Sequence, residues 1–243
     1  MAQNNLPKPI DALFTAGEDL ADGLHTHEVA IGMKQNLEAD VRADLDATIA
    51  AQGVHTTAQS AKTPLSTAVT VADSNAKAFI GTARRLLVTG LGESYSQAWD
   101  ITGFPDQSTA VPGTQAKRQA LLLALKNYLL AHNSYEVSTQ GIHFTAFEAG
   151  NLFTALSDAR SNAAQGNTEA GQKRVLRDAA EKVLRHRMNG TIAELGQLLE
   201  DDDPRWLAFG LNLPGATDLP DVADSLVLTA GSAGVVHSDW SDA

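Results

Sequence analysis

The sequence predicts a mainly α protein, an up-and-down bundle of four to five long helices followed by a short C-terminal β-hairpin. Apolar residues recur at helical spacing over roughly the first two hundred positions. From Ser225 to Trp240 the pattern changes to alternation on either side of Gly231, Ser232, Ala233 and Gly234. Aromatic residues are only 5% of the chain while alanine is abundant, which favours helices meeting through small side chains over an aromatic-rich sandwich. The division that follows is a helical bundle domain over 1–213 and a β-hairpin appendage over 214–243.

The helices follow in order. Val29, Met33, Leu37, Val41, Leu45 and Ile49 are spaced by four and predict one helix over 28–61. A step of four overshoots the turn, so this stripe drifts by about 40° per step and meets different neighbours along its length. Thr63-Pro64 predicts a break, with the proline in the first turn of a second helix. There Leu65, Val69, Ala72, Ala76, Phe79, Ala83, Leu86 and Gly90 form a heptad-like seam, read as core packing, with Gly90-Leu91-Gly92 ending the helix. Residues 93–113 read as a loop or a broken helical segment anchored by Trp99, Ile101 and Phe104. The next helix, Gln115 to His132, is apolar on every side between Ala120 and Leu125 and is the candidate for the most buried element.

After an irregular link, Thr145-Ala146-Phe147-Glu148 is a capping box that starts a helix running to about Gln165. Gly166-Asn167 predicts another break. A last long helix to Glu200 then carries Leu176, Ala179, Val183, Met188, Ile192, Leu195 and Leu199 as its apolar face. Asp203 reads as an N-cap with Pro204 at the first helical position, and Trp206 and Phe209 share a face expected to dock on the bundle.

Composition narrows the function. A net charge of -11, from 18 Lys+Arg against 29 Asp+Glu, repels phosphate backbones, so no nucleic-acid partner is expected. The absence of cysteine excludes disulfides, thiol nucleophiles and thiolate metal sites together. No charged segment leads into an apolar run at the N-terminus, and no stretch approaches the ~18 apolar residues of a membrane span. Neither a signal peptide nor a membrane contact is therefore expected, which makes the cytoplasm the default.

Candidate chemistry is sparse. His25, His27 and Glu28 offer metal-type ligands without the spacing of a metal site, and Glu-x-x-His pairs of the di-iron kind do not occur. Glycine patterns at 90–94 lack the lysine and preceding strand of a phosphate loop. No Gly-x-Ser-x-Gly elbow is present. Asp201, Asp202 and Asp203 lack the ligand spacing of a calcium loop. No catalytic residue, cofactor or metal is assigned. The basic stretch Lys173, Arg174, Arg177, Lys182, Arg185, His186 and Arg187 is interleaved with Asp178 and Glu181 and reads first as a solvated face paired to acids. Arg174 and Arg177 are kept as anion or acidic-partner contacts.

The C-terminal residues carry a resemblance. Pro220 precedes a strand with Leu226 and Leu228, a Gly/Ser turn follows, and Val235, Val236 and Trp240 form a second strand. Residues 220–243 resemble the opening of a fibronectin type III module, in which a tryptophan on the second strand sits in the core, the role the resemblance implies for Trp240. Such modules in bacteria are often extracellular, which the resemblance adds as a second compartment. A lone hairpin is marginal in water. It would pack on its own bundle, add strands to another subunit, or belong to a longer protein.

The expectation is thus a non-enzymatic structural or assembly protein. Its helical body would carry a β segment for self-association or a protein partner, with Trp206, Phe209, Leu226, Leu228, Val236 and Trp240 as candidate contact residues. The alternative is a helical ligand-binding or enzymatic domain with a pocket near Trp99 and His143.

Overall fold

A computed structural model describes residues 4–139, 141–215, 226–230 and 236–240. The protein is mainly α, 75% helical, with a two-stranded antiparallel hairpin after the helices. The long helices are α1 (Ile10–Ile31), α2 (Glu38–Leu91), α4 (Gln115–Ala131) and α5 (Ala146–Leu198), and α3 (Gln97–Asp100) is a single turn. A small hairpin, β1 (Val137–Thr139) with β2 (Ile142–Phe144), precedes α5, and β3 (Leu226–Ala230) with β4 (Val236–Trp240) follows it. The residues read as one helical domain gather into two compact units, one of residues 1–51 with 177–243 and one of residues 52–176.

In the first unit the core joins Leu13, Leu20, Ala21 and Leu24 of α1, Val41 and Leu45 of α2, Leu184, Met188 and Leu195 of α5, and Leu199 just after it. Helix α1 corrects the expectation of one helix over 28–61. Gly32, at φ 87°, adopts the left-handed conformation that closes α1, and its amide bonds the Glu28 carbonyl. The turn before α2 is held by Glu194, whose carboxylate accepts from the amides of Lys34 (2.7 Å), Gln35 (3.1 Å) and Asn36 (3.0 Å) and from the Asn36 side chain (2.9 Å). Burial pushes this carboxyl up, but the amide bonds outweigh burial and hold it below the usual carboxylate range. Glu28 accepts from the first amide of α2, at Glu38, at 2.8 Å.

The turn over Pro204–Phe209 is a 3-10 helix whose N-cap Asp203 accepts from the Arg205 amide at 2.8 Å. The Arg205 side chain and amide draw the Asp203 carboxyl down to about 2. Trp206 and Phe209 are buried as their shared face requires, and Trp206 donates from its indole nitrogen to the Glu200 carbonyl at 3.0 Å. Gly23 makes this docking possible: a Cβ there would come within 2.5 Å of the Phe209 ring.

The second unit packs Ala72, Ala76, Phe79, Ile80, Ala83 and Leu87 of α2 against Leu121, Leu122, Leu125 and Leu129 of α4, Phe144 of β2, and Ala149 and Leu156 in the first turns of α5. From Ala72 to Leu86 the seam expected in α2 is therefore a core seam, whereas Leu65 and Val69 are half-buried outside that core and Gly90 is exposed. Pro64, expected to break this helix, lies inside it. A proline removes one backbone bond and crowds the carbonyl four residues earlier. Both Pro64 and Ser60 are exposed, so the freed carbonyl has solvent to bond. Gly166, also expected to break a helix, is instead a close-approach position within α5, since a Cβ there would meet Leu65 at 2.5 Å.

Helix α4 is amphipathic, not buried all round: Ala120 and Leu123 face solvent while Leu121, Leu122 and Leu125 are buried. Of the loop anchors, Trp99 and Phe104 are buried with rings edge-on at 5.4 Å, but Ile101 is exposed. The stripe drawn through Leu176 and Val183 is also corrected. Both are largely exposed, and the core face over this stretch begins at Leu184. Thr145 accepts from the Glu148 amide at 3.1 Å, half of the expected capping box, while the Ala146 amide is taken by Glu136 at 2.7 Å.

A buried ion pair crosses the second unit. Arg118 of α4 donates from Nε to Asp73 Oδ1 at 2.6 Å and from Nη2 to Oδ2 at 2.9 Å, and its remaining nitrogen bonds the Pro112 carbonyl. Lys77 adds a bridge to Asp73 at 2.9 Å. Burial raises the Asp73 carboxyl, yet the bonds from Arg118 and Lys77 outweigh it and hold the group below its ordinary value.

Candidate functional site

A hollow that gathers varied polar chemistry lies in the second unit, on the side of α2 that carries Asn75, Ala78, Phe79, Thr82 and Arg85. Steps of three and four keep these residues on one side of the helix. The opposite wall comes from Gly141, Ile142 and His143 of the β1–β2 hairpin and from Glu148 and Leu152, four apart on α5. The hairpin register pairs Val137 with Phe144 and Ser138 with His143. Alternation sends Phe144 into the core and leaves His143 exposed beside the hollow. Phe79 lies 5.3 Å from Phe144, ring to ring, and joins the buried core to the floor of the hollow.

The hollow has a volume of about 320 Å³. Thr82 accepts from Arg85 Nη2 at 3.1 Å, and the Ser138 hydroxyl lies 3.4 Å from His143 Nδ1. Arg85 and Glu148 both line the space, and among the described residues they form no ion pair with each other or with another group. A guanidinium, a carboxylate, an imidazole, a carboxamide and a hydroxyl thus face one small space over an aromatic floor. The arrangement can hold a small polar ligand.

Of the two residues named for the expected pocket, His143 lines this hollow and Trp99 does not. Trp99 is fully buried, and its indole nitrogen donates to the Gly92 carbonyl at 3.2 Å. No protein-family model, no curated protein and no solved structure matches this chain.

The other candidate residues lie elsewhere. Trp206 and Phe209, named as contact residues, are consumed by the core of the first unit. Arg177 bonds Asp178 at 2.7 Å, and Arg174 is exposed on the same helix. Arg185 bonds Glu181 at 2.8 Å and the carbonyls of Pro7 and Lys8 at 2.7 and 2.9 Å, while Arg187 bonds Asp44 at 2.9 Å. Much of the basic stretch is thus engaged with acids and carbonyls of its own chain.

Leu226, Leu228, Val236 and Trp240 belong to β3 and β4, whose register pairs Leu226 with Trp240, Leu228 with Ser238 and Ala230 with Val236. The intervening turn and Val235 lie outside the described residues. Glu28, weighed beside His25 and His27 as a ligand, caps α2 instead, and among the described residues no group of three His, Asp or Glu is placed to hold a metal ion. No helix among them is long and apolar enough to cross a membrane.

Sequence reasoning missed Arg85, Asn75 and Glu148 as members of one site. Glu148 was absorbed by its capping role, and Arg85 by the adjoining seam of α2. The signal available was that Asn75, Ala78, Thr82 and Arg85 form a second, non-core stripe beside the seam.

Proposed function

We propose that this chain is a non-enzymatic structural or assembly protein in which the C-terminal hairpin mediates association with a second copy or with a partner protein. The observation that carries the reading is the pairing of β3 and β4. Each strand is five residues long, and among the described residues the two pair only with one another. Two outer edges then carry backbone donors and acceptors that can accept a further strand. A two-stranded ribbon is marginal in water by itself and gains from such pairing. The resemblance to a fibronectin type III module points the same way, because there the opening strands are paired with further strands.

Deleting residues 219–243 tests it. The intact chain is expected to show an assembly mass by size exclusion with light scattering, and the truncated chain a monomer mass. An unchanged mass rejects the reading.

A second reading is favoured by one observation, the convergence of polar side chains on the hollow beside His143. On it, the second unit is a ligand-binding module. The discriminating measurement is binding of small polar molecules that is lost when the hollow is filled by Ala78→Phe.

A further inference from the structure

We infer that the hollow beside His143 is built for a small zwitterion, a free α-amino acid or a dipeptide with an apolar side chain, an inference that rests on the ligand-binding reading of that hollow. The argument starts from charge. In this acidic chain Arg42, Arg118, Arg185, Arg187 and Arg205 are each bonded to a carboxylate of the same chain. Among the described residues Arg85 bonds only the neutral hydroxyl of Thr82. Glu148 lines the same hollow, and the two opposite charges do not close on each other.

Held apart in one space, a guanidinium and a carboxylate complement a ligand that carries a carboxylate and an ammonium. The guanidinium fork matches a carboxylate in two-point geometry, and charge-assisted bonds of this kind are the strong ones. A ligand of one sign would satisfy one of the pair and face like charge from the other. Asn75 and Thr82 add a carboxamide and a hydroxyl, so a backbone amide or a second polar group is also accommodated.

The remaining wall is apolar. Phe79, Leu152 and Ile142 line it, and Phe79 is anchored against Phe144 at 5.3 Å. An aliphatic or aromatic ligand side chain gains by covering that surface. The volume of about 320 Å³ stands at the lower end of the ~300–1,000 Å³ of ligand sites, which suits an amino acid or dipeptide better than a nucleotide or sugar chain.

The test uses the full chain with a panel of the free L-amino acids and Leu-Gly and Gly-Leu, read by thermal shift and then calorimetry. At least one apolar member is expected to raise the melting temperature. Its N-acetyl and its C-terminal amide forms should each bind about tenfold more weakly or worse, as loss of a charged hydrogen bond implies. Glu148→Gln should remove the penalty for acetylation, and Arg85→Gln the penalty for amidation. Both side chains are at least partly exposed, so both variants are expected to keep the parent's circular dichroism spectrum.

If the doubly blocked N-acetyl amide binds as tightly as the free amino acid, and Ala78→Phe abolishes both, the hollow binds ligands but the zwitterion inference is overturned. If no panel member binds, the inference is overturned. A fragment screen whose hits are insensitive to Ala78→Phe would then sink the ligand-binding reading as well.

Discussion

Each of the two compact units contains a carboxylate held by several donors, and the two carboxylates are satisfied in different ways. Glu194 in the first unit gathers neutral donors, three backbone amides and one carboxamide, from a turn of 34–36. Asp73 in the second is paired with the full charges of Arg118 and Lys77. The difference teaches what each arrangement costs to lose. Removing Glu194 leaves amides at a turn that water can reach, because Lys34 and Gln35 are exposed. Removing Arg118 leaves a buried carboxylate short of its main counter-charge, which is far more expensive.

The largest expected effect tests that asymmetry. Arg118→Ala should destabilise the second unit by about 3–5 kcal/mol, visible as lost hydrogen-exchange protection in α4 and the 72–87 stretch of α2. Replacing both partners, Arg118→Met with Asp73→Leu, should recover most of that loss, since a fitted apolar pair is often neutral or better. If the double variant is as weak as the single one, the pair is holding the loop at Pro112 and not merely neutralising itself.

Glu194→Ala comes next, at about 1–3 kcal/mol, from the loss of four hydrogen bonds to one charged carboxylate. Protection should fall in 33–40 and leave α4 unchanged. Gly23→Ala should cost about 1–2 kcal/mol, because overpacking against the Phe209 ring outweighs the gain of about 1 kcal/mol from alanine in a helix. Gly166→Ala should be close to neutral, since the atom it meets is the mobile end of Leu65. Parallel denaturant melts of the two glycine variants check the contrast.

Acid gives the smallest and most graded effect. Glu194, Asp73 and Asp203 all have lowered carboxyls, so each contributes stability above the ordinary carboxylate range and loses it as pH falls through its own lowered value. For Asp203 that loss runs from its usual 3.8 down to about 2. Carbon-detected titration of the three carboxyls checks the direction. Asparagine keeps a side-chain acceptor at this N-cap, so Asp203→Asn should change the melting point least.

The helical class and the β-hairpin could be read from periodicity because they depend on one property repeated many times. Helix ends were legible where local chemistry sets them, as at Asp203-Pro204, Thr145 and Gly92. Helix breaks were not. Pro64 and Gly166 carry the residue types of a break, and whether such residues end a helix depends on solvent at Ser60 and on a neighbour at Leu65, which no local window contains.

Helix α1 was overlooked although Leu13, Gly17, Leu20, Ala21 and Leu24 fall on one face. The run of fours from Val29 to Ile49 crosses the real turn at 32–37 and hid it. For the hollow beside His143, the stripe of α2 could be read, but not its opposite wall. That wall comes from the β1–β2 hairpin, two three-residue strands too short to give a periodic signal.

The proline within α2 has a consequence for how that helix comes apart. Its ladder lacks the rung between residues 60 and 64, and the hydroxyls of Thr67 and Thr70 turn back to carbonyls of their own helix at 3.1 Å. A helix opens most readily where its rungs are already missing. Within α2, brief protease treatment under native conditions should therefore nick first beside Leu65, and Pro64→Ala should make that scissile point slower to appear.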